Sequence, residues 1–178
     1  MKKYFTLFYL IFIPIGITMG QDLNSTPKVV DKVDLSKYTG LWYEIARIPN
    51  RFQEDCAKGT TAKYTLNDEQ EIEVINSCIE TDGEKNIAEG IARVVDKNTN
   101  AKLEVSFVSI FGLHLFWGDY WIIGLDKNYE YAVVGHPERK YGWILSRTKK
   151  LTMNQMDEVK SILKKNGYDF GRFQMTDQ

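Results

Sequence analysis

The sequence predicts an all-β fold of eight antiparallel strands, a sandwich or an up-and-down barrel, followed by one C-terminal helix. Three observations predict it. Between residues 40 and 148 almost every segment alternates with a period of two and is rich in Val, Ile, Thr and aromatic residues. Short turn signals separate these segments and no helical pattern lies between them, which excludes parallel strand–helix–strand crossovers. After Thr148 the period becomes helical.

The elements follow in order. Residues 1–20 carry Lys2 and Lys3, an apolar run from Tyr4 to Ile17, and Thr18-Met19-Gly20. This is the pattern of a secretory signal peptide, and the run is short for a bilayer span. Residues 21–34 read as a polar, flexible lead-in. The strands are expected at 40–48, 57–66, 70–79, 84–96, 101–109, 118–126, 129–136 and 141–148. Among the turn signals between them are Thr81-Asp82-Gly83, Asp126-Lys127-Asn128 and the stretch His136–Gly142. Met153, Met156, Val159, Ile162 and Leu163 then recur at helical spacing. Thr152 and Gln155 have capping-box spacing at its start, and Gly167 makes its stop. Gly171–Thr176 reads as a short last strand.

Length and charge narrow the function. The chain has 178 residues, and the part after residue 20 fits one domain. Without Lys2 and Lys3, 21 basic residues face 24 acidic ones, a net charge of −3 with no block of one sign. Nucleic acid is therefore not an expected partner. Cys56, Cys78, His114 and His136 lack metal-ligand spacing, so no metal and no cofactor is expected. No nucleophile stands beside a base in the manner of a catalytic triad, and no enzyme activity is expected.

The alternation also marks one face of each strand. Leu103, Val105 and Phe107 oppose Lys102, Glu104 and Ser106, so the apolar set must face in. The same reasoning turns inward Ala46, Ala62, Tyr64, Val74, Asn76 and Ala92, with Trp143 and Leu145 on the last strand. Tyr120 and Ile122 are placed inside by alternation with Trp121 and Ile123. This inner set mixes large side chains with very small ones, whereas a filled core would use that space. Eight strands is also the number at which a barrel can hold one small ligand. Glu44 shares the phase of Trp42 and Ala46; a buried carboxylate needs partners, expected here from Tyr or Asn side chains and water, or from a ligand head group.

The connection Ser109–Gly118 is unusual because a loop should be polar, yet it carries Ile110, Phe111, Leu113, Leu115, Phe116 and Trp117. Residues 110–117 are thus expected as a lid, a membrane contact or a dimer contact, with the oligomeric state open. Two cysteines in an exported chain predict a Cys56–Cys78 disulfide. A three-residue turn pairing Leu66 with Gln70 would set Lys58 opposite Cys78 and leave Cys56 one diagonal step away. That is slightly long for the bond without an adjustment near Gly59. The alternative is two reduced thiols.

Three stretches resemble the lipocalin family. The first is GLWYEIARIPNRFQ from Gly40, the second GLDKNYEYAVV from Gly124, and the third WILSRT from Trp143. They stand in family order and point to the branch of bacterial lipocalins and apolipoprotein D. The resemblance implies an eight-stranded antiparallel calyx barrel with the helix packed outside. Gly40, Trp42 and Arg147 are its structural motif at the closed end, away from ligand. It implies binding of a small hydrophobic ligand, a fatty acid, lysophospholipid or similar lipid, for transport or storage. The inner residues above would form the ligand contacts. Many bacterial members carry an N-terminal lipidated Cys; none follows the apolar run here, so a periplasmic or secreted form without a lipid anchor is expected. Competing readings are a lipid-acting enzyme on the same barrel and an interaction module using residues 110–117.

Overall fold

The computed structural model describes residues 25–67 and 71–178. The expected signal peptide lies outside the described residues, as do Gln21–Asn24 at the start of the lead-in. Eight strands close into an antiparallel barrel: β1 Gly40–Arg47, β2 Cys56–Leu66, β3 Ile72–Glu80, β4 Lys85–Val94, β5 Lys102–Ser106, β8 Gly118–Leu125, β9 Tyr131–Gly135 and β10 Gly142–Ser146. Each pairs with its neighbour in the chain, apart from the β5–β8 step, and β10 pairs back onto β1. Closure leaves no barrel edge unpaired. A short strand β11, Gln174–Met175, adds to the outside of β1 at Ala46 and Arg47.

Between β5 and β8 the chain does not form a loop. Val108–Ile110 (β6) and Leu113–Leu115 (β7) make a separate hairpin. Phe111 and Gly112 form its turn with φ of 51° and 79°, the left-handed pair that suits a two-residue hairpin. The expected single strand 101–109 is therefore divided at Phe107.

The described part of the lead-in is not loose. The Val30 N–H donates to the Ile122 carbonyl at 3.0 Å, and the Val33 N–H to the Thr99 carbonyl at 2.7 Å. Val33 is fully buried, and Val29 and Val30 pack on the cores. Three valines in a short polar segment have apolar surface to bury, and the barrel's lower end offers it. One turn of helix, α1 Leu35–Tyr38, then leads into β1, with Asp34 as its N-cap.

Two apolar clusters result. The lower barrel holds Trp42, Ile72, Leu103, Ile122 and Val134. The second lies outside, between the sheet and helix α2, Met153–Lys165, and includes Ile45, Ile144, Val159, Leu163 and Tyr168. Thr152 and Gln155 form the capping box at the helix start. The helix approaches so closely that a Cβ on Gly124 would sit 2.7 Å from an Ile162 methyl, so only glycine fits there.

Candidate functional site

The upper barrel encloses a cavity of about 660 Å³, within the range of small-molecule sites. Its wall is built as the alternation requires. Ala62, Tyr64, Val74, Asn76, Ala92 and Leu103 line it, as do Val105, Phe107, Tyr120, Trp143 and Leu145. Two expected residues are elsewhere. Ile122 is fully buried in the lower core beneath the cavity. Ala46 belongs to the outer cluster under the helix.

Ala46 moves for a local reason. Glu44 pairs with Leu145 but Ala46 pairs with Ile144, so Ile45 is an extra residue, a β-bulge. The bulge reverses the phase of the strand. Ala46 turns outward and Arg47 turns inward, beside Glu44. Glu44 Oε1 accepts from Arg47 Nη1 at 2.7 Å and from the Thr176 hydroxyl at 2.6 Å. Its Oε2 accepts from Gln53 Nε2 at 2.7 Å. The side-chain partners are Arg47, Thr176 and Gln53 in place of the expected Tyr or Asn, because the bulge could not be seen in the alternation. Arg47 also donates to the carbonyls of Gln53 and Cys56, which fastens the segment between β1 and β2 across the cavity wall. Gln53 Oε1 in turn accepts from the Trp143 indole at 2.9 Å.

At the closed end Arg147 stacks over Trp42, its guanidinium carbon 3.7 Å from the ring centroid. It donates to the carbonyls of Leu41, Lys37 and Thr39, each at 2.8 Å. Gly40, with φ of 93°, lets the chain turn there, and a Cβ would come within 3.3 Å of Arg147. Trp42 donates to the Tyr38 carbonyl at 2.8 Å. None of Gly40, Trp42 and Arg147 lines the cavity.

The cavity floor carries three phenols. Tyr120 Oη lies 2.7 Å from Tyr38 Oη and 3.1 Å from Tyr64 Oη. Burial raises the pKa of each, that of Tyr64 to about 12, so all three are neutral at pH 7. Tyr38 was not among the expected site residues because it precedes the first strand, where alternation says nothing. At the mouth His136 is held below its usual pKa, chiefly by burial.

The Cys56–Cys78 disulfide is formed, with Cα atoms 5.6 Å apart. The register differs from the expected one at the turn and at Lys58 but meets it at Cys56, which the expected pairing also leaves diagonal to Cys78. Leu66 pairs with Ile72, not Gln70, and beyond that pair the Asn67 N–H donates to the Glu71 carbonyl at 2.9 Å. Irregularities on both sides of Lys58 then shift the pairing until Cys56 stands opposite Glu80. Cys78 remains its diagonal neighbour, brought within bonding range by those shifts.

Residues 33–178 match the family model of the lipocalin-like domain. The chain belongs to the lipocalin family. It is 39% identical over 146 residues to outer membrane lipoprotein Blc of Escherichia coli, covering 82% of this chain and 79% of that one. It is 36% identical over 154 residues to temperature-induced lipocalin-1 of Arabidopsis thaliana, covering 85% and 82%. Among solved structures, insecticyanin from the tobacco hornworm Manduca sexta superposes with a TM-score of 0.69 at 27% identity, covering 87% of this lipocalin and 85% of the other. These lipocalin relatives support binding of a small hydrophobic molecule.

Proposed function

We propose that this lipocalin binds a fatty acid, lysophospholipid or similar lipid in the barrel cavity and carries or stores it after export, with a part in maintaining envelope lipids. The carrying observation is the cavity itself: an apolar chamber of about 660 Å³ walled by Val74, Leu103, Val105 and Trp143, with space left by Ala62 and Ala92. Lipocalins are in general binding and transport proteins. The charged N-terminus with its apolar run and the Cys56–Cys78 bridge both fit an oxidising compartment outside the cytoplasm. Blc is named an outer membrane lipoprotein, which agrees with export.

The β6–β7 hairpin is the proposed contact with a lipid surface. Phe111 at its tip is wholly exposed, and Leu113 and Phe116 are exposed beside it. Phe116 and Val108 also line the cavity, so the same apolar surface runs from the hairpin into the chamber. Native mass spectrometry of the gently purified protein tests the function. A co-purified lipid at one per chain supports it; a chain that stays at its bare mass after incubation with mixed phospholipid and fatty-acid vesicles opposes it.

A further inference from the structure

A cluster of polar groups stands at the cavity's deep end, where the tail of a simple fatty acid would lie. Tyr38, Tyr64 and Tyr120 bring three hydroxyl protons to the floor, and the two contacts among them use two. Whichever way those two bonds run, the third proton belongs to a hydroxyl that lines the cavity. No other acceptor among the described residues bonds to these oxygens.

One step up the wall, Asn76 Oδ1 is buried with no partner among the described residues. Asn76 is flanked in register by Ala62 and Ala88, so the wall is indented around its amide. The Thr60 hydroxyl, on another lining residue, is likewise buried without a partner. Buried polar atoms are ordinarily paired, and an unmet one costs about 1–3 kcal/mol. A hydrocarbon terminus would leave the spare phenol proton and the Asn76 oxygen unmet.

We propose that the ligand is an oxygenated lipid whose deep end carries a neutral oxygen, a hydroxyl, ketone or epoxide, bound by the Tyr38–Tyr64–Tyr120 cluster. This rests on the reading of the cavity as a lipid site. A neutral oxygen needs one donor, which is what the cluster offers. A carboxylate would bring an unpaired charge into an apolar chamber, because Arg47 is already committed to Glu44. A hydroxyl does more than a ketone, since it can also donate towards Asn76.

The test compares palmitic acid with ω-hydroxypalmitic acid on the delipidated full chain. The wild type is expected to bind the hydroxy acid about five-fold more tightly, the effect of one net hydrogen bond. In the Tyr38→Phe, Tyr64→Phe, Tyr120→Phe triple variant that preference should vanish, the two acids binding with equal affinity whatever its absolute value. Equal affinities in the wild type, or a preference that survives in the variant, would overturn the inference. ω-Methoxypalmitic acid needs no variant: it accepts but cannot donate, and loss of all preference for it would overturn the assignment to a phenol donor. Failure of every acid to bind the wild type would remove the lipid-binding reading as well.

Discussion

Glu44 and Arg47 lie three residues apart on one strand, yet their side chains meet on its inner side at 2.7 Å, both almost fully buried. In a regular strand they would point to opposite faces. The extra residue Ile45 brings them together. The pair joins β1, the segment after it through Gln53, and the C-terminal tail through Thr176.

Breaking this pair from one side is therefore costly. Glu44→Gln or Arg47→Met should each lower stability by about 3–5 kcal/mol, because each strands the other's polar groups in the interior. The Glu44→Gln, Arg47→Met double variant should lose less than the two single losses combined. Urea unfolding of the four proteins measures this directly.

The disulfide should contribute about 3 kcal/mol in the chain-entropy account of a loop of this size. Changing both Cys56 and Cys78 to Ser is expected to lower the urea midpoint without changing the fold. Thiol titration of the denatured, unreduced wild type should find no free thiol.

The phenols give a pH signature. Folded Tyr64 titrates at about 12, and burial raises Tyr38 and Tyr120 too, whereas an unfolded tyrosine ionises near 10. The native state then holds protons that the unfolded state releases. Stability is full below pH 10 and falls as pH rises from about 10 towards 12. A spectroscopic titration should show these phenolates appearing only well above pH 10, and the triple Phe variant should lose much of the alkaline instability.

The hairpin prediction concerns kinetics. Phe111→Ser with Phe116→Ser should slow uptake of a fluorescent fatty acid from vesicles several-fold. Stability should stay within about 0.5 kcal/mol, since both side chains are exposed. Equal uptake rates would remove the hairpin from the transfer step.

Most of the barrel is legible because its inner face is written in alternation: Leu103, Val105 and Phe107 against Lys102, Glu104 and Ser106 leave one choice of face. Ala46 is misread because a bulge adds a residue without any mark that a period-two pattern can register. The hairpin at 108–115 is hidden differently. Its residues continue the apolar character of β5, and the turn rests on a left-handed Phe111, which is uncommon for a bulky residue. Tyr38 escapes notice because it completes the cavity floor from outside the strands, and only the folded chain shows its hydroxyl beside Tyr120.

The central claim is that the barrel cavity is where lipid binds, and filling that cavity tests it most directly. Ala62 lines the chamber, so Ala62→Trp should fill part of it, with circular dichroism and urea unfolding showing that the variant is folded. Titration with palmitic acid, followed by tryptophan fluorescence for the wild type and by calorimetry for both proteins, should show one saturable site in the wild type. In the folded Ala62→Trp variant affinity should fall at least ten-fold. Undiminished binding by that variant would place the lipid elsewhere and contradict the account.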